Sequence, residues 1–173
     1  MSEYASQNHP VWQEIAPELT PKDFRYPYHM DVGFLRKLSR ARRRGNVPYR
    51  VVSDYRDPSR NEAAGGASQS AHMERPCASV DLRVVSNEER YHLVLNLIAG
   101  DALDALRAVL RCGAPLPPDV RSQVVRALDR PGFTRIGLYP PTAHQIATYG
   151  KGAGSVHVDA SPKNPQPRIW MSV

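Results

Sequence analysis

Residues 78–84 read Ala-Ser-Val-Asp-Leu-Arg-Val, and their alternation decides what kind of sheet this chain builds. Successive side chains of a strand point to opposite faces. Val80, Leu82 and Val84 therefore share one face, and Asp81 and Arg83 share the other. An apolar face with a polar reverse belongs to a strand covered on one side only. Residues 155–159, Ser-Val-His-Val-Asp, repeat the pattern: Val156 and Val158 face one way, His157 and Asp159 the other. Both strands turn side chains able to bind metal toward the polar side.

Working outward, residues 49–55 (YRVVSDY) read as a buried strand, and Arg56-Asp57-Pro58 turns the chain. Residues 61–69 (NEAAGGASQ) form a small-residue loop or a short helix. Upstream, the spacing predicts a helix over 31–44, with Phe34, Leu38 and Ala41 on one stripe and Arg36, Arg40 and Arg43 on another. Gly45-Asn46 ends it. Thr20-Pro21-Lys22-Asp23 has the marks of a helix start. Downstream, Ser86 to Glu89 is a capping box opening a helix to about Ala99. Further helical pieces are expected over 103–111 and 119–128, then strands over 133–139 and around 168–171. Local strands bounded by separate helices predict an α+β fold, with a small antiparallel or mixed central sheet and flanking helices. Residues 1–19 lack a sustained period and read as an N-terminal extension or a loosely docked arm. Residues 20–173 then form one domain, a length that suits a single core.

Bulk properties narrow the function classes. Apolar residues make up 41% of the chain, too many for a disordered protein. No apolar run is long enough for a membrane helix, so no membrane insertion is expected. The opening residues, MSEYASQNHPVWQEIAPEL, show no secretory signal, which predicts a protein made in the cytoplasm without export by that route. The net charge of +6 favours anionic partners. Nucleic acid is not expected among them, because no aromatic platform accompanies the arginines. Cys77 and Cys112 form no metal-type pair and are expected as separate thiols.

Six histidines allow the metal question to be asked residue by residue. His9, His29 and His92 sit where surface or capping roles account for them. His72 lies in a small-residue loop just before the strand of Asp81, and His157 lies on a late strand. A catalytic zinc takes three nitrogen or oxygen ligands from rigid elements and keeps one open position. On pattern alone, a half-exposed sheet with ordinary polar residues explains these positions as well as a metal site does.

The motifs add a resemblance. Ser53-Asp54-Tyr55-Arg56-Asp57-Pro58, Asn61, Gly65-Gly66-Ala67, Ser70-Ala71-His72 and Val80-Asp81-Leu82 are followed by Gly132-Phe133-Thr134-Arg135-Ile136-Gly137-Leu138-Tyr139-Pro140 and Ser155-Val156-His157-Val158-Asp159. In that order they resemble the motifs of the D-Ala-D-Ala carboxypeptidase family of zinc peptidases, including its phage endolysin and virion-associated branch. The resemblance runs from about Thr20 to the C-terminus. It implies a zinc site on the open face of the sheet, with His72, Asp81 and His157 as ligands. It also implies that Arg56 pairs with a substrate carboxylate, with Ser70 and Gln69 close enough to bond the substrate. The implied activity is carboxypeptidase or endopeptidase action on stem or cross-bridge peptides of bacterial peptidoglycan. Without an export signal, such an enzyme would reach the wall through a holin or on a virion beside other virion proteins; a host enzyme exported otherwise is the alternative.

Two departures bear on activity. Eight residues separate His72 from Asp81, where the family pattern has six, and they include Cys77 as a rival ligand. Gly154 stands three residues before His157, where many relatives carry an acidic general base. Asp159 and His144 are the candidate substitutes. The competing reading keeps the fold and the metal but drops catalysis, leaving a wall-binding or virion-structural domain.

Overall fold

The computed structural model describes residues 2–45, 48–84, 135–140, 154–161 and 168–171, with further positions at 86, 89, 92–94, 96, 97, 133, 143, 147 and 163. The helices expected over 103–111 and 119–128, as well as Cys112 and His144, lie outside the described residues.

The two alternating segments are strands, as their patterns predict, and they lie side by side in the sheet. Strands β1 (Arg50–Ser53), β2 (Ser79–Arg83), β3 (Arg135–Tyr139), β4 (Ser155–Asp159) and β5 (Arg168–Met171) build one sheet in the order β1-β2-β4-β3-β5. The β1–β2, β2–β4 and β3–β4 pairs are antiparallel, and β5 adds to β3 in parallel, so the sheet is mixed and the fold is α+β. Val80, Leu82, Ile136, Val156 and Val158 are fully buried on its covered face.

Helix α2 (Val32–Gly45) brings Phe34, Leu35, Leu38 and Ala41 into the same core as those strand residues. It starts where Asp31 Oδ1 accepts the backbone N–H of Phe34 at 2.8 Å, satisfying a donor the helix cannot pair internally. Truncating Leu38 to Ala at so buried a site costs about 2–5 kcal/mol. Its outer arginines pair with the preceding segment: Arg36 with Glu14 at 2.8 Å and Arg43 with Glu18 at 2.8 Å. At such exposure each pair contributes only about 0.2–1 kcal/mol.

The stretch expected as an extension is packed into this core. Ala5, the short helix α1 (Val11–Glu14) with Val11 and Trp12, then Ile15 and Leu19 are all buried in it. Backbone bonds from Ala5 to Met30 and from Val32 to Glu3 tie it down. After it, the start at Thr20 makes only a 3-10 turn, Pro21–Asp23, in which Asp23 accepts the Thr20 N–H at 2.7 Å.

Strand β1 differs from the buried strand expected. It is an edge, and its pairing with β2 skips Val52, which is 39% exposed. Helix α3 (Pro58–Ala63) follows, capped by Asp57, which accepts the Arg60 N–H at 2.8 Å. The capping box at Ser86 is formed as predicted, with Ser86 and Glu89 exchanging bonds at 3.1 Å. No helix among the described residues is long and apolar enough to cross a membrane.

Candidate metal centre

The β2–β4 register places Asp81 directly opposite His157. Both therefore leave the sheet on the same face at the same height, as their alternation requires. His72 arrives from a 3-10 turn, Ala71–Met73, just before β2. One ligand-type atom from each of the three lies within 4.8 Å of those of the other two. The longer loop between His72 and Asp81 does not part them. Its added length is held against residues 29–31, with Cys77 bonding the His29 carbonyl at 2.7 Å and accepting from Asp31 at 2.9 Å.

Each ring has one nitrogen fixed and one directed inward. His72 Nδ1 lies 2.7 Å from the Asp54 carbonyl oxygen, which can only accept, so this nitrogen carries the proton and Nε2 keeps its lone pair. His72 Nε2 is buried and makes no hydrogen bond, although Asp81 Oδ2 is 3.4 Å away. A buried lone pair without a donor is what a cation would satisfy. His157 Nδ1 meets Asp81 Oδ1 at 2.8 Å, and its Nε2 faces Asp159 Oδ2 at 3.3 Å. Two imidazole nitrogens and a carboxylate form a donor set that suits zinc, so the residues present fit that metal.

Without a metal, these groups hold each other's charge. Burial alone would raise the Asp81 pKa, but the hydrogen bond from His157 and the closeness of the His72 ring outweigh it and hold the carboxyl well below its ordinary range. Burial alone would lower that of His157, but Asp159 and Asp81 raise it to about 9.

The remaining predicted residues fall into two groups. Arg56, Ser70 and Gln69 all line one open cleft of about 840 Å³ with the three ligand residues. Arg56, however, is already engaged at the ligands: its Nη2 donates to Asp81 Oδ2 at 2.8 Å and its Nε to Ser53 Oγ at 2.8 Å. Asp159 is a buried carboxylate with both oxygens occupied. Arg135 Nε donates to Oδ2 at 2.9 Å and the Ser161 N–H to Oδ1 at 3.0 Å, beside the contact with His157. Its pKa is lowered, because the bonds from His157 and Arg135 overcome the effect of burial.

Cys77 takes no part in the three-residue group. It is a buried free thiol facing the carbonyls of Ala71 and Ser79, and burial pushes its pKa up to about 12. Sequence reasoning missed Ser53, Asp54 and Arg135. Arg135 was within reach as a polar residue alternating with Ile136, but its place opposite Asp159 comes from the β3–β4 register, which the sequence does not show. Asp54 acts through its backbone carbonyl, which no side-chain pattern announces.

Residues 21–102 match the model of the family described as Peptidase M15, which marks this segment as hydrolase and metallopeptidase in type. The matched range takes in Arg56, His72 and Asp81 and stops short of His157, which joins them through the β2–β4 pairing. No curated protein and no solved structure matches the chain.

Proposed function

From the Peptidase M15 character of residues 21–102, we propose that the chain is a zinc-dependent peptidase of bacterial peptidoglycan, acting on stem or cross-bridge peptides. The observation that carries this reading is the convergence of His72, Asp81 and His157 on one spot in a cleft, with a buried His72 nitrogen left without a donor. His72 Nε2, the Asp81 carboxylate and His157 Nδ1 would hold the metal. Bound there, zinc supplies Lewis acidity, polarising a carbonyl and lowering the pKa of water to about 7.

The chain's own residues do the rest. Asp159 holds the His157 ring by its far nitrogen, the carboxylate–imidazole arrangement that fixes tautomer and orientation in metal sites. With its side chain fully buried and both oxygens engaged, Asp159 is suited to that task and not to taking a proton from water. His144 remains the candidate proton acceptor on sequence grounds. Arg56, which lines the cleft, would meet a peptide carboxylate, and Ser70 and Gln69, which line it too, would bond the peptide.

A second reading draws on the same saturation of Asp159: a metal-held wall-binding domain without catalysis. Digestion of purified peptidoglycan with zinc-loaded protein, beside a His157→Ala variant, separates the two. Peptides released by the parent alone, identified by mass, establish the peptidase and the bond it cuts. An intact wall despite one bound zinc favours the binding domain. Failure to bind any zinc-like ion removes both.

A further inference from the structure

We propose that Arg56 is a positioning residue for the metal ligands His72 and Asp81, so that its loss weakens metal binding itself. This rests on the metal centre proposed above and adds a role distinct from gripping a peptide carboxylate.

Four contacts support it, all made by residues 53–56. The β1–β2 register runs from Val51 opposite Leu82 to Ser53 opposite Asp81, leaving Val52 unpaired. Such a bulge re-aims the strand that carries it. Here it brings Ser53 level with the ligand carboxylate, where Ser53 Oγ accepts Arg56 Nε at 2.8 Å. The guanidinium is a rigid planar fork. With Nε fixed, Nη2 is directed at Asp81 Oδ2, 2.8 Å away.

The same segment grips His72 twice through its backbone. The Arg56 N–H donates to the His72 carbonyl at 2.8 Å, and the Asp54 carbonyl accepts from the His72 ring at 2.7 Å. Two of the three ligands are thus oriented by one four-residue stretch, while His157 is oriented by Asp159. A carboxylate offers about four lone-pair directions. Arg56 occupies one and prevents the carboxylate from rotating, which leaves the others for the histidine side.

A guanidinium also repels a nearby cation. Positioning and repulsion have opposite signs in metal affinity, and this makes the role measurable. Positioning prevails here because the Arg56 charge is already paired with Asp81 in a contact only 15% and 17% exposed.

The test is zinc affinity by competition with a chromophoric chelator, for the full chain and for Arg56→Ala, Arg56→Lys and Ser53→Ala. Circular dichroism of the metal-free forms reports folding. Loss of an outer partner of a metal ligand typically lowers affinity about 10–100-fold, and that range is expected for Arg56→Ala. Arg56→Lys should lose nearly as much, since an ammonium cannot hold Ser53 and Asp81 in one fixed fork. Ser53→Ala should move the same way by less. If Arg56→Ala does not fold, Arg56→Lys carries the test. Unchanged or tighter zinc binding in a folded Arg56 variant overturns the proposal while leaving the metal centre intact. A parent chain that binds no zinc overturns the metal centre and this role with it.

Discussion

In the metal-free protein, His157 and Asp81 form an ion pair whose partners shift each other's protonation in opposite directions. The consequence for stability can be given a sign. His157 is raised from 6.5 to about 9, so its contribution is complete below about pH 6.5 and lost as pH climbs toward 9. Asp81 is depressed from 3.8, so its contribution is present above that value and lost on further acidification. Together they predict that the pair stabilises the metal-free fold most between about pH 4 and 6.5, with a decline up to about 9. Urea unfolding at stepped pH, with a chelator present, checks this. Asp159→Asn should move the alkaline decline to lower pH, because Asp159 is one of the two carboxylates that raise His157. A profile flat from 6.5 to 9, or unmoved by Asp159→Asn, contradicts the pairing. At this scale the sequence was most informative where polarity broke an apolar alternation, as at Asp81 and His157. Arg56 was legible as a residue but not in its engagement with Asp81, which depends on how the β1 edge bends.

Among the elements, the rim of the cleft after α3 turns on two adjacent glycines with different duties. Gly65 has φ +66, in the left-handed region, and open space where a Cβ would stand. Gly66 carries no such φ, but a Cβ there would lie 2.2 Å from Asn61 Oδ1. Asn61 cannot easily yield, since it is buried and its Nδ2 donates to the Ala67 carbonyl at 2.9 Å. Gly65→Ala is therefore expected to cost about 1–2 kcal/mol through backbone strain alone. Gly66→Ala should cost about 1–3 kcal/mol through overpacking, and it should also displace the 67–70 rim. Urea melts give the two costs, and peptide binding at the cleft should weaken for Gly66→Ala only. Equal effects on binding would mean the rim is not anchored through Asn61. The strands β2 and β4 were readable because one-sided burial imposes period two. The sheet order was not, since β2 pairs with a strand more than seventy positions away and β5 joins in parallel. Residues 2–19 were misread for another reason: Val11, Ile15 and Leu19 do recur every four positions, but the run is short and only Val11–Glu14 is helical, so the buried face was marked too briefly to stand out.

For the whole molecule, the metal centre ties together parts of the chain that are far apart in sequence. His157 and Asp81 are separated by 76 positions, and the N-terminal segment and α2 close the core beneath the strands that carry them. A ligand that binds only the folded state stabilises it by mass action, by about 2.7 kcal/mol at a free concentration 100 times its Kd. For a chain of this size each kcal/mol moves Tm by about 2–4 °C, so saturating zinc should raise Tm by roughly 5–11 °C. Zinc should leave Tm nearly unchanged in His157→Ala, because two ligands from residues 72 and 81 cannot clamp β4. The shift should also vanish with excess chelator and return on adding zinc back. Thermal scans of both proteins, with and without metal, make the comparison. A zinc shift of the same size in His157→Ala would mean that the ion is held elsewhere. In that event the register that sets Asp81 opposite His157 would be a feature of the sheet alone.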